Sequence, residues 1–593
     1  MQMKRILLII TLLPAFTIAG FAQKDKNSNE FMKMGQTMNR IADFYVDEPN
    51  MQKINEKAIT TMLAELDPHS VFISAKEVQR ANEGLEGKFY GIGVMFQILK
   101  DSVHVVEVVR GGPAEKVGIL AGDIFVKVNG KVFVGDSVTN SLVMKRFRGD
   151  KGTKVSFDVK RQGHKNLLHF DIVRDVIPIT SIDTYFMIDK TTGYIRLDRF
   201  ARTTMSEFRK AVSELKEQGM TQLVFDLRGN GGGFLDVAVA LADEFLPAGK
   251  NIVYTKGRDT TDIKYFKSSS RGDFKNGRLV VLVDEYSASA SEIVTGAIQD
   301  WDRGIVIGRR SFGKGLVQRV FELADGSQIR LTIARYYTPS GRCIQKPYKD
   351  GLESYYRDIS NRYSHKEMIT SDSISLPDSV KYYTAAKRVV YGGGGIIPDI
   401  FIPVDTTRMS DYWISLSSKG LINRFALEWA ERNRVNMLVK YPRYSDFNAV
   451  YPTMGVEQEF DKFVRDNGVE KTSVRGEWAV SWINEYLKKK INDTVNPLKD
   501  SEYGRYMQTL LNDPQLREDM MKKASNEDQK AKVIVEKSDK YINTVVKALI
   551  VRNLYGIRYY YESYKESDMA YETAVRVIND AKMFKKFKIK ESK

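Results

Sequence analysis

The sequence predicts an α+β multidomain protein in which a β-rich module precedes an α/β core, with helical regions at both ends. Three observations indicate this class: the length of 593 residues, a change of pattern near residue 85, and a second change near residue 176. At roughly 150 residues per domain, the length predicts about four units. Hydrophobic residues make up 42% of the chain and charged residues 28%, which is typical of globular proteins rather than disordered or fibrous ones.

The N-terminus has the pattern of a secretory signal peptide, which we assign to residues 1–22. Lys4 and Arg5 precede the apolar run 6–19, and Gly-Phe-Ala follows it. The run is short for a membrane-spanning helix, which needs about 20 residues. We therefore expect an exported protein of the periplasm or cell envelope, soluble or peripherally membrane-associated. An uncleaved signal anchor is the alternative.

Charge and cysteine content restrict the possible classes of site. The chain has 91 basic and 75 acidic residues, a net charge of +16 that raises nucleic acid or an anionic surface as a partner. Acidic residues are interleaved with the basic ones, and export disfavours a nucleic-acid role, so we expect no nucleic-acid partner. The single cysteine, Cys343, excludes an intrachain disulfide and a cysteine-based zinc site.

Two regions precede the α/β core. Residues 23–84 form a helical N-terminal region, in which Asp67-Pro68 predicts a turn. Residues 85–175 form the β-rich module, because the β-branched run Val103–Val109, the strand Ile124–Val128 before an Asn-Gly turn, and the alternating segment 154–161 are short strands separated by breakers.

The α/β core is assigned to residues 176–405. Its predicted strands 223–227, 279–284 and 305–308 are mainly apolar and are followed by loops of small residues, the place where α/β folds carry their chemistry. Asp325-Gly326 predicts a hairpin. Residues 406–593 are charged and rich in Tyr and Met, and we assign them to a C-terminal helical domain.

The first segment with chemical potential is DLRGNGGGF (226–234), which follows a predicted strand. Its glycines permit a tight turn and expose backbone N–H groups at the start of a helix, where an anion or an oxyanion can bind. Glycine-rich turns of this kind are also common for structural reasons, so this segment alone does not identify a function.

The second segment is DEYSASASE (284–292). Ser289 and Glu292 have the Ser-x-x-Glu spacing of a capping box, so a capped helix start explains the segment without a catalytic role. The alternative is a nucleophilic serine on a strand-to-helix turn, with alanines on both sides that leave its hydroxyl accessible. Ser287 and Ser291 compete with Ser289 for that role.

The third segment is GRRSFGKGLVQ (308–318), which approaches the spacing of a phosphate-binding loop. Gly315 stands where that loop needs Ser or Thr to hold magnesium, and the following residues alternate like a strand, so we exclude a P-loop. Lys314 lies between two glycines without an acidic neighbour. Burial there would disfavour its ammonium form, and a neutral lysine can accept a proton from a serine.

The positions of the histidines decide which catalytic mechanism a serine in these segments could use. All five lie outside the three segments, namely His69, His104, His164, His169 and His365. A Ser-His-Asp triad requires a histidine beside the nucleophile. A serine enzyme built on these segments therefore needs a Ser–Lys mechanism.

Six motifs in this order resemble the carboxyl-terminal processing proteases, tail-specific serine peptidases that carry a PDZ domain. The motifs are LDPHS (66–70), YGIGV (90–94), DLRGNGGG (226–233), SASASE (287–292), FGKG (312–315) and GGIIPDI (394–400). The resemblance covers roughly residues 40–405. It implies that the β-rich module is a PDZ domain and that the α/β core is a serine protease core.

The resemblance also implies roles for individual residues. Ser289 matches the family's nucleophile, Lys314 its general base and Gln318 the residue that orients the lysine. The oxyanion donors would be the backbone N–H groups of Ala290 and of a glycine in the run 231–233, of which Gly232 fits best. No metal and no cofactor are required.

The PDZ assignment implies a binding site for a peptide tail. Tyr90, Gly91, Ile92, Gly93 and Val94 would form the loop that holds a substrate's terminal carboxylate, while the adjacent strand edge accepts the tail as an added strand. The expected partners are proteins or peptides with accessible C-termini, together with a possible adaptor protein and a possible homo-oligomer. The alternative function is a non-catalytic PDZ peptide-binding scaffold of the cell envelope.

Overall fold

A computed structural model of the protein describes residues 18–99, 101–259, 261–374, 380–406, 410–469 and 536–589. The chain divides into two compact units. The first contains the residues up to Val78 together with Gln318–Thr332, and the second contains Gln79–Val317 and the residues from Ile333 onward. Of the predicted signal peptide, residues 1–17 lie outside the described part of the chain.

The first unit is built on helices and a short strand pairing. Its elements up to the boundary are α1 (Ile18–Phe44), α2 (Met51–Ala64), β1 (Val71–Ile73) and the start of α3 (Ala75–Glu86). The predicted turn after α2 is present: Asp67 Oδ1 accepts the backbone N–H groups of His69 and Ser70 at 2.8 and 2.9 Å. This turn leads into β1, which pairs antiparallel with Gln328–Arg330.

The β-rich module lies in the second unit and contains an antiparallel sheet. The elements of this region are β2 (Lys88–Gly91), β3 (Val94–Leu99), β4 (Ser102–Val108), α4 (Pro113–Lys116), β5 (Ile124–Val128), β6 (Lys131–Val132), α5 (Asn140–Phe147), β7 (Lys154–Lys160), β8 (Leu168–Val173) and β9 (Asp175–Pro178). The sheet order is β3-β4-β5-β7-β8, with β6 on β5, and β2 pairs separately with β9. Strand β3 is therefore an edge strand, and within the described residues it pairs with β4 alone.

The α/β core follows in the chain. Its elements are β10 (Ile182–Met187), β11 (Thr192–Leu197), α6 (Thr204–Glu217), β12 (Gln222–Asp226), α7 (Leu235–Asp243), β13 (Asn251–Gly257), β14 (Ile263–Lys267), β15 (Leu279–Val283), α8 (Ala290–Asp300), β16 (Ile305–Gly308), β17 (Leu316–Glu322), β18 (Gln328–Tyr337), α9 (Gly351–Ser364), β19 (Lys381–Tyr383), β20 (Val389–Tyr391) and β21 (Ile400–Phe401). The central sheet has the order β10-β11-β12-β15-β16-β21, in which every pair except β10–β11 is parallel. The predicted hairpin is present between β17 and β18, and it turns at Asp325-Gly326.

The central sheet is buried on both faces, as expected for parallel strands. Alternate residues of β12 show this: Leu223 and Phe225 join one apolar cluster with side chains of α6, α7 and α8, whereas Val224 joins a second cluster on the opposite face. Both faces therefore need a covering layer.

The C-terminal region is helical, and two of its helices cover the second face of the sheet. Within the described residues its helices are α10 (Asp411–Ser418), α11 (Leu421–Lys440), α12 (Tyr444–Val450), α13 (Val456–Asp466), α14 (536–555), α15 (Ile557–Tyr564), α16 (Met569–Ile578) and α17 (Ala581–Lys586). Helices α10–α15 form an apolar cluster of their own, which includes Phe425, Trp429 and Ile550. Helices α16 and α17 pack on the sheet through Tyr571 and Phe584. Among the described residues, no helix is long and apolar enough to cross a membrane.

A substitution at Phe584 tests whether α17 contributes to the hydrophobic core. Its side chain is buried at the second face of the sheet. We expect Phe584→Ala to lower the free energy of unfolding by about 3–5 kcal/mol, because it removes buried surface and leaves a cavity. The matched control is Lys582→Ala, an exposed position in the same helix, for which we expect a change of about 0.5 kcal/mol or less. Denaturant unfolding of both variants measures the difference, and equal stabilities would contradict the described packing.

Candidate active site

The three predicted segments meet at one edge of the central sheet. They follow β12, β15 and β16, which are parallel neighbours, so their carboxyl ends lie side by side. Hydrogen bonds join the loops directly: the Ala288 N–H donates to Asn230 O at 3.0 Å, and the Phe312 N–H donates to Ser287 O at 3.0 Å. The glycine loop, the serine loop and the lysine loop thus form one site.

The structure distinguishes the three serines of the second segment. Ser287 and Ser291 are fully buried, and their hydroxyls donate to the backbone carbonyl oxygens of Leu227 and Asn230, each at 2.9 Å. Their hydroxyl protons are engaged in joining the serine loop to the glycine loop. Ser289 is half-buried and is therefore the most exposed of the three serines.

Ser289 lies at a sharp turn between β15 and α8. Its backbone has φ 55° and ψ −109°, and a positive φ is uncommon for any residue other than glycine. Such a conformation costs free energy and persists where the surrounding contacts impose it. The predicted capping box is present: the Glu292 carboxylate accepts the Ser289 N–H at 2.8 Å. This turn separates the Ser289 side chain from its buried neighbours.

Glu292 does more than cap the helix. One oxygen of its fully buried carboxylate accepts the backbone N–H groups of Ser289 and Lys314 at 2.8 and 2.9 Å. The other oxygen accepts the Ser311 hydroxyl at 2.5 Å and the Gly313 N–H at 2.7 Å. A single carboxylate therefore joins the backbone of the predicted nucleophile to the backbone of the predicted base.

The protonation of Glu292 reflects two opposed effects. Burial raises the pKa of Glu292 to about 7, while its four hydrogen-bond donors favour the ionised form and oppose that rise. The sequence predicts Glu292 only as part of the helix cap. Its position three residues after Ser289 is the only local signal, because the other three donors lie 19 to 22 residues further along the chain.

The lysine loop has further supports. The buried Tyr336 hydroxyl lies 2.6 Å from Lys314 O and 3.0 Å from Ser289 O, so its proton is shared between the two carbonyl groups. The predicted motif GGIIPDI also contributes, since the Ile396 N–H donates to Ser311 Oγ at 2.7 Å. Strand β17 begins at Leu316, which confirms the strand predicted directly after the lysine loop, where a P-loop would continue as a helix. Lys314 itself is half-buried.

Gly232 lies against the start of α8. A β-carbon added to Gly232 would lie 2.9 Å from Ser289 Cβ and 3.0 Å from Ala290 N, and the residue has φ +100°. No other residue type fits this close approach without displacing the serine loop. The Gly232 N–H donates to the Asn230 side-chain oxygen at 2.8 Å. Ala290 is the first residue of α8, so its N–H has no partner within the helix.

Gln318 belongs to the first unit. Its side-chain amide donates to Thr332 Oγ1 at 3.1 Å, and the Thr332 hydroxyl donates to Asp67 Oδ1 at 3.1 Å. Ser70 Oγ donates to the other oxygen of Asp67 at 2.6 Å. The motif LDPHS and Gln318 are thus linked by hydrogen bonds through Thr332.

The predicted carboxylate loop precedes the edge strand of the β-rich module. Tyr90 and Gly91 end β2, Ile92 and Gly93 form the loop, and Val94 begins β3. The loop is held by hydrogen bonds from Ala114 N to Ile92 O at 2.8 Å and from Val109 N to Gly93 O at 2.9 Å. Helix α5 lies nearby, since the rings of Phe96 in β3 and Phe147 in α5 are 5.5 Å apart. A loop, a free strand edge and a helix are the parts that strand addition of a peptide needs.

Metal ligands are a separate question. Within the residues that the structure describes, no group of three or more His, Cys, Asp and Glu side chains is arranged to hold a metal ion.

The raised pKa of Glu292 predicts how the stability of the protein changes with pH. The folded protein binds a proton at Glu292 more tightly than the unfolded chain does, because its pKa rises from 4.5 to about 7. This contribution to stability is complete below pH 4.5 and is lost as the pH rises through about 7. Relative to Glu292→Gln, we therefore expect the wild-type free energy of unfolding to fall by about 3 kcal/mol across that range. Denaturant unfolding as a function of pH measures it.

The control for this titration is Glu353→Gln, which neutralises a carboxylate that is 77% exposed. Because this variant keeps Glu292, we expect its free energy of unfolding relative to Glu292→Gln to fall across the same pH range, as that of the wild type does. A wild-type curve parallel to that of Glu292→Gln would contradict the raised pKa of Glu292.

Comparison with known proteins identifies relatives of both parts of the chain. Residues 191–354 match the family model described as peptidase family S41, and residues 91–172 match the model of a PDZ domain. The chain is similar to a carboxy-terminal-processing protease of Bartonella bacilliformis, with 36% identity over 321 residues, 53% of this chain and 73% of the relative. It is also similar to a probable CtpA-like serine protease of Staphylococcus epidermidis, with 34% identity over 342 residues, 57% of this chain and 68% of the relative.

A solved structure of a photosystem II D1 C-terminal processing protease is also similar. It shares 25% identity with the chain, and the match covers 63% of this chain and 92% of that one. The TM-score of 0.32 is too low for the two arrangements to be equated.

Proposed function

Because the chain belongs to peptidase family S41, together with the carboxy-terminal-processing proteases, we propose that it cleaves peptide bonds with a Ser289–Lys314 dyad. The chain is a PDZ-containing serine peptidase. The assignment of the dyad depends chiefly on one observation: Glu292 accepts the backbone N–H groups of both residues, so the two loops are fixed relative to each other.

In the proposed mechanism, the neutral Lys314 amine takes the proton of the Ser289 hydroxyl. The Ser289 oxygen attacks the peptide carbonyl and forms a tetrahedral intermediate. The Lys314 ammonium then gives its proton to the leaving amine, and the peptide C–N bond breaks. Lys314 next takes a proton from a water molecule, whose oxygen attacks the resulting ester. The Lys314 ammonium returns this proton to the Ser289 oxygen as the ester bond breaks, and the new C-terminus is released.

The negative oxygen of the intermediate needs hydrogen-bond donors. We assign this role to the Ala290 and Gly232 N–H groups, because Gly232 lies against Ala290 and Ala290 opens α8, whose positive dipole end favours negative charge. The Gly232 N–H donates to Asn230 in this structure. Its participation therefore requires the N–H to turn from the amide oxygen of Asn230 to the oxyanion. Gln318 is proposed to orient Lys314, as the resemblance implies.

The PDZ domain provides the substrate preference. We propose that residues 90–94 hold the terminal carboxylate of a substrate and that the free edge of β3 accepts its tail. The substrates are then proteins or peptides with accessible C-termini. The predicted signal peptide supports a location in the periplasm or cell envelope, and an adaptor and a homo-oligomer remain predictions.

Two substitutions test the dyad. We expect Ser289→Ala and Lys314→Ala each to reduce cleavage of an unfolded protein at least about 1,000-fold, because each removes a group that forms or breaks bonds. The measurement is the rate of cleavage, together with mass-spectrometric identification of the serine that reacts with a fluorophosphonate. Lys210→Ala, at an exposed lysine, is the control and should retain full activity. Retained cleavage in either dyad variant, or labelling of a different serine, contradicts the assignment.

The carboxylate loop is tested by binding alone. With the Ser289→Ala protein, we expect a peptide with a free C-terminus to bind at least about 10-fold more tightly than the same peptide with an amidated C-terminus, because the amide lacks the charge that the loop holds. Titration calorimetry measures both affinities. Equal affinities would show that residues 90–94 do not recognise the carboxylate.

These two experiments also decide between the proposal and a non-catalytic scaffold. A scaffold binds the free C-terminus with the preference just described, yet it shows no Ser289-dependent cleavage. The proposed peptidase shows both.

A further inference from the structure

A residue of the C-terminal helical region lies at the glycine loop of the proposed active site. Asp568, which precedes α16, accepts two hydrogen bonds from the Arg228 guanidinium at 2.8 and 2.7 Å. Both side chains are largely buried, with exposures of 17% for Arg228 and 15% for Asp568. The two residues are 340 positions apart in the chain. The ion pair therefore joins the C-terminal helical region to the peptidase core.

Arg228 depends on two carboxylates. It also donates to Asp226, whose fully buried side chain further accepts the Tyr194 hydroxyl and Arg196. Although burial raises the pKa of Asp226, the positive charges of Arg228 and Arg196 lower it well below the usual range. Without the charge of Asp568, Arg228 would keep Asp226, which it shares with Arg196, whereas Arg196 also binds Asp183. The Arg228 side chain donates three hydrogen bonds to Asp226 and two to Asp568, so it would lose the charge behind two of these five bonds inside the protein, where such bonds are strong.

The position of Arg228 determines the course of the glycine loop. The next residue, Gly229, donates its N–H to Asp284 Oδ1 at 2.9 Å. The preceding residue, Leu227, accepts the Ser287 hydroxyl. Four residues after Arg228 lies Gly232, the proposed oxyanion donor. A shift of Arg228 would therefore move the start of the glycine loop. It would also disturb the hydrogen bonds that Leu227 and Gly229 make to the serine loop.

Packing alone does not hold Arg228 in place. A cavity of about 360 Å³ adjoins the ion pair and is lined by Arg228 and Asp568 together with Tyr194, Arg309 and Lys565. A cavity of this volume leaves space for the Arg228 side chain to move once its partner charge is lost. The guanidinium is thus held by its ion pairs with Asp226 and Asp568 rather than by packing, and loss of the second ion pair leaves it less restrained.

We propose that Asp568 is a positioning residue for the peptidase reaction. It holds Arg228, and through Arg228 it holds the glycine loop in the geometry that oxyanion stabilisation requires. The inference rests on the proposed function. It assigns to the C-terminal region a positioning role in the reaction, in addition to its packing on the sheet.

Asp568→Asn is the discriminating variant. Asp568 also caps α16 by accepting the N–H groups of Ala570 and Tyr571, each at 3.1 Å, and asparagine caps helices about as well as aspartate. The substitution therefore preserves the cap and the side-chain shape, removes the charge, and replaces the oxygen that accepts Arg228 Nη2 with an amide NH₂ group. Glu572→Gln is the matched control, because it removes an exposed carboxylate from the same helix.

The experiment measures kcat and KM for a peptide substrate, the rate of fluorophosphonate labelling and the melting temperature for full-length variants. For Asp568→Asn we expect kcat and the labelling rate to fall about 10-fold with KM changed less than about twofold, since a displaced oxyanion donor affects the transition state more than substrate binding. Asp568→Glu, which restores the charge, should recover part of kcat. Glu572→Gln should match the wild type.

Three outcomes would overturn the inference. The first is a wild-type kcat in Asp568→Asn. The second is a smaller fraction of labelled protein with an unchanged rate in that fraction, which indicates unfolding rather than displacement. The third is a change in KM alone. A wild-type protein that neither cleaves nor becomes labelled at Ser289 would instead contradict the proposed function, and the inference with it.

Discussion

The arrangement of the site depends on one buried carboxylate. Glu292 accepts four hydrogen bonds, and two of its donors are the backbone N–H groups of Ser289 and Lys314. Removing a carboxylate from water costs several kcal/mol unless hydrogen bonds compensate. Four hydrogen-bond donors, one from the serine loop and three from the lysine loop, compensate this cost at Glu292. Because both loops bind the same carboxylate, their positions relative to each other are fixed. The strained backbone of Ser289 is maintained by the same contacts.

A second constraint comes from the parallel sheet. Parallel strands are apolar on both faces, so the core needs helices on both sides. Helices α6, α7 and α8 cover one face, and α16 and α17, at the far end of the chain, cover the other. The C-terminal region is therefore bound to the sheet by apolar packing, and this packing brings Asp568 to Arg228. In this way a requirement of the fold places a charged residue beside the glycine loop.

The sequence predicted the features that depend on neighbouring residues. The mainly apolar segments 223–227 and 279–284 predict strands, the spacing of Ser289 and Glu292 predicts the capping box, and Asp325-Gly326 predicts the hairpin. The α+β class with a PDZ domain before a protease core is also confirmed. These features are encoded locally, by periodicity, caps and turn residues.

The features that the sequence did not predict depend on contacts between distant residues. The spacing of Ser-x-x-Glu says nothing about Gly313 and Lys314, which reach Glu292 only because β15 and β16 are neighbours in the sheet. Likewise, the pattern of α16 predicts a helix with a buried face but not the sheet on which it packs. No periodicity relates Arg228 to Asp568.

The central claim is that Glu292 holds the nucleophile and the base in a reactive arrangement. The most direct test is the single-turnover rate at which a fluorophosphonate acylates Ser289 in the wild type and in Glu292→Gln, at a pH well above the pKa of Glu292. A glutamine presents an NH₂ group where two backbone donors need an acceptor, so we expect the rate to fall about 100-fold while peptide binding by the PDZ domain is unchanged. An unchanged rate of acylation in a folded Glu292→Gln protein would contradict the account.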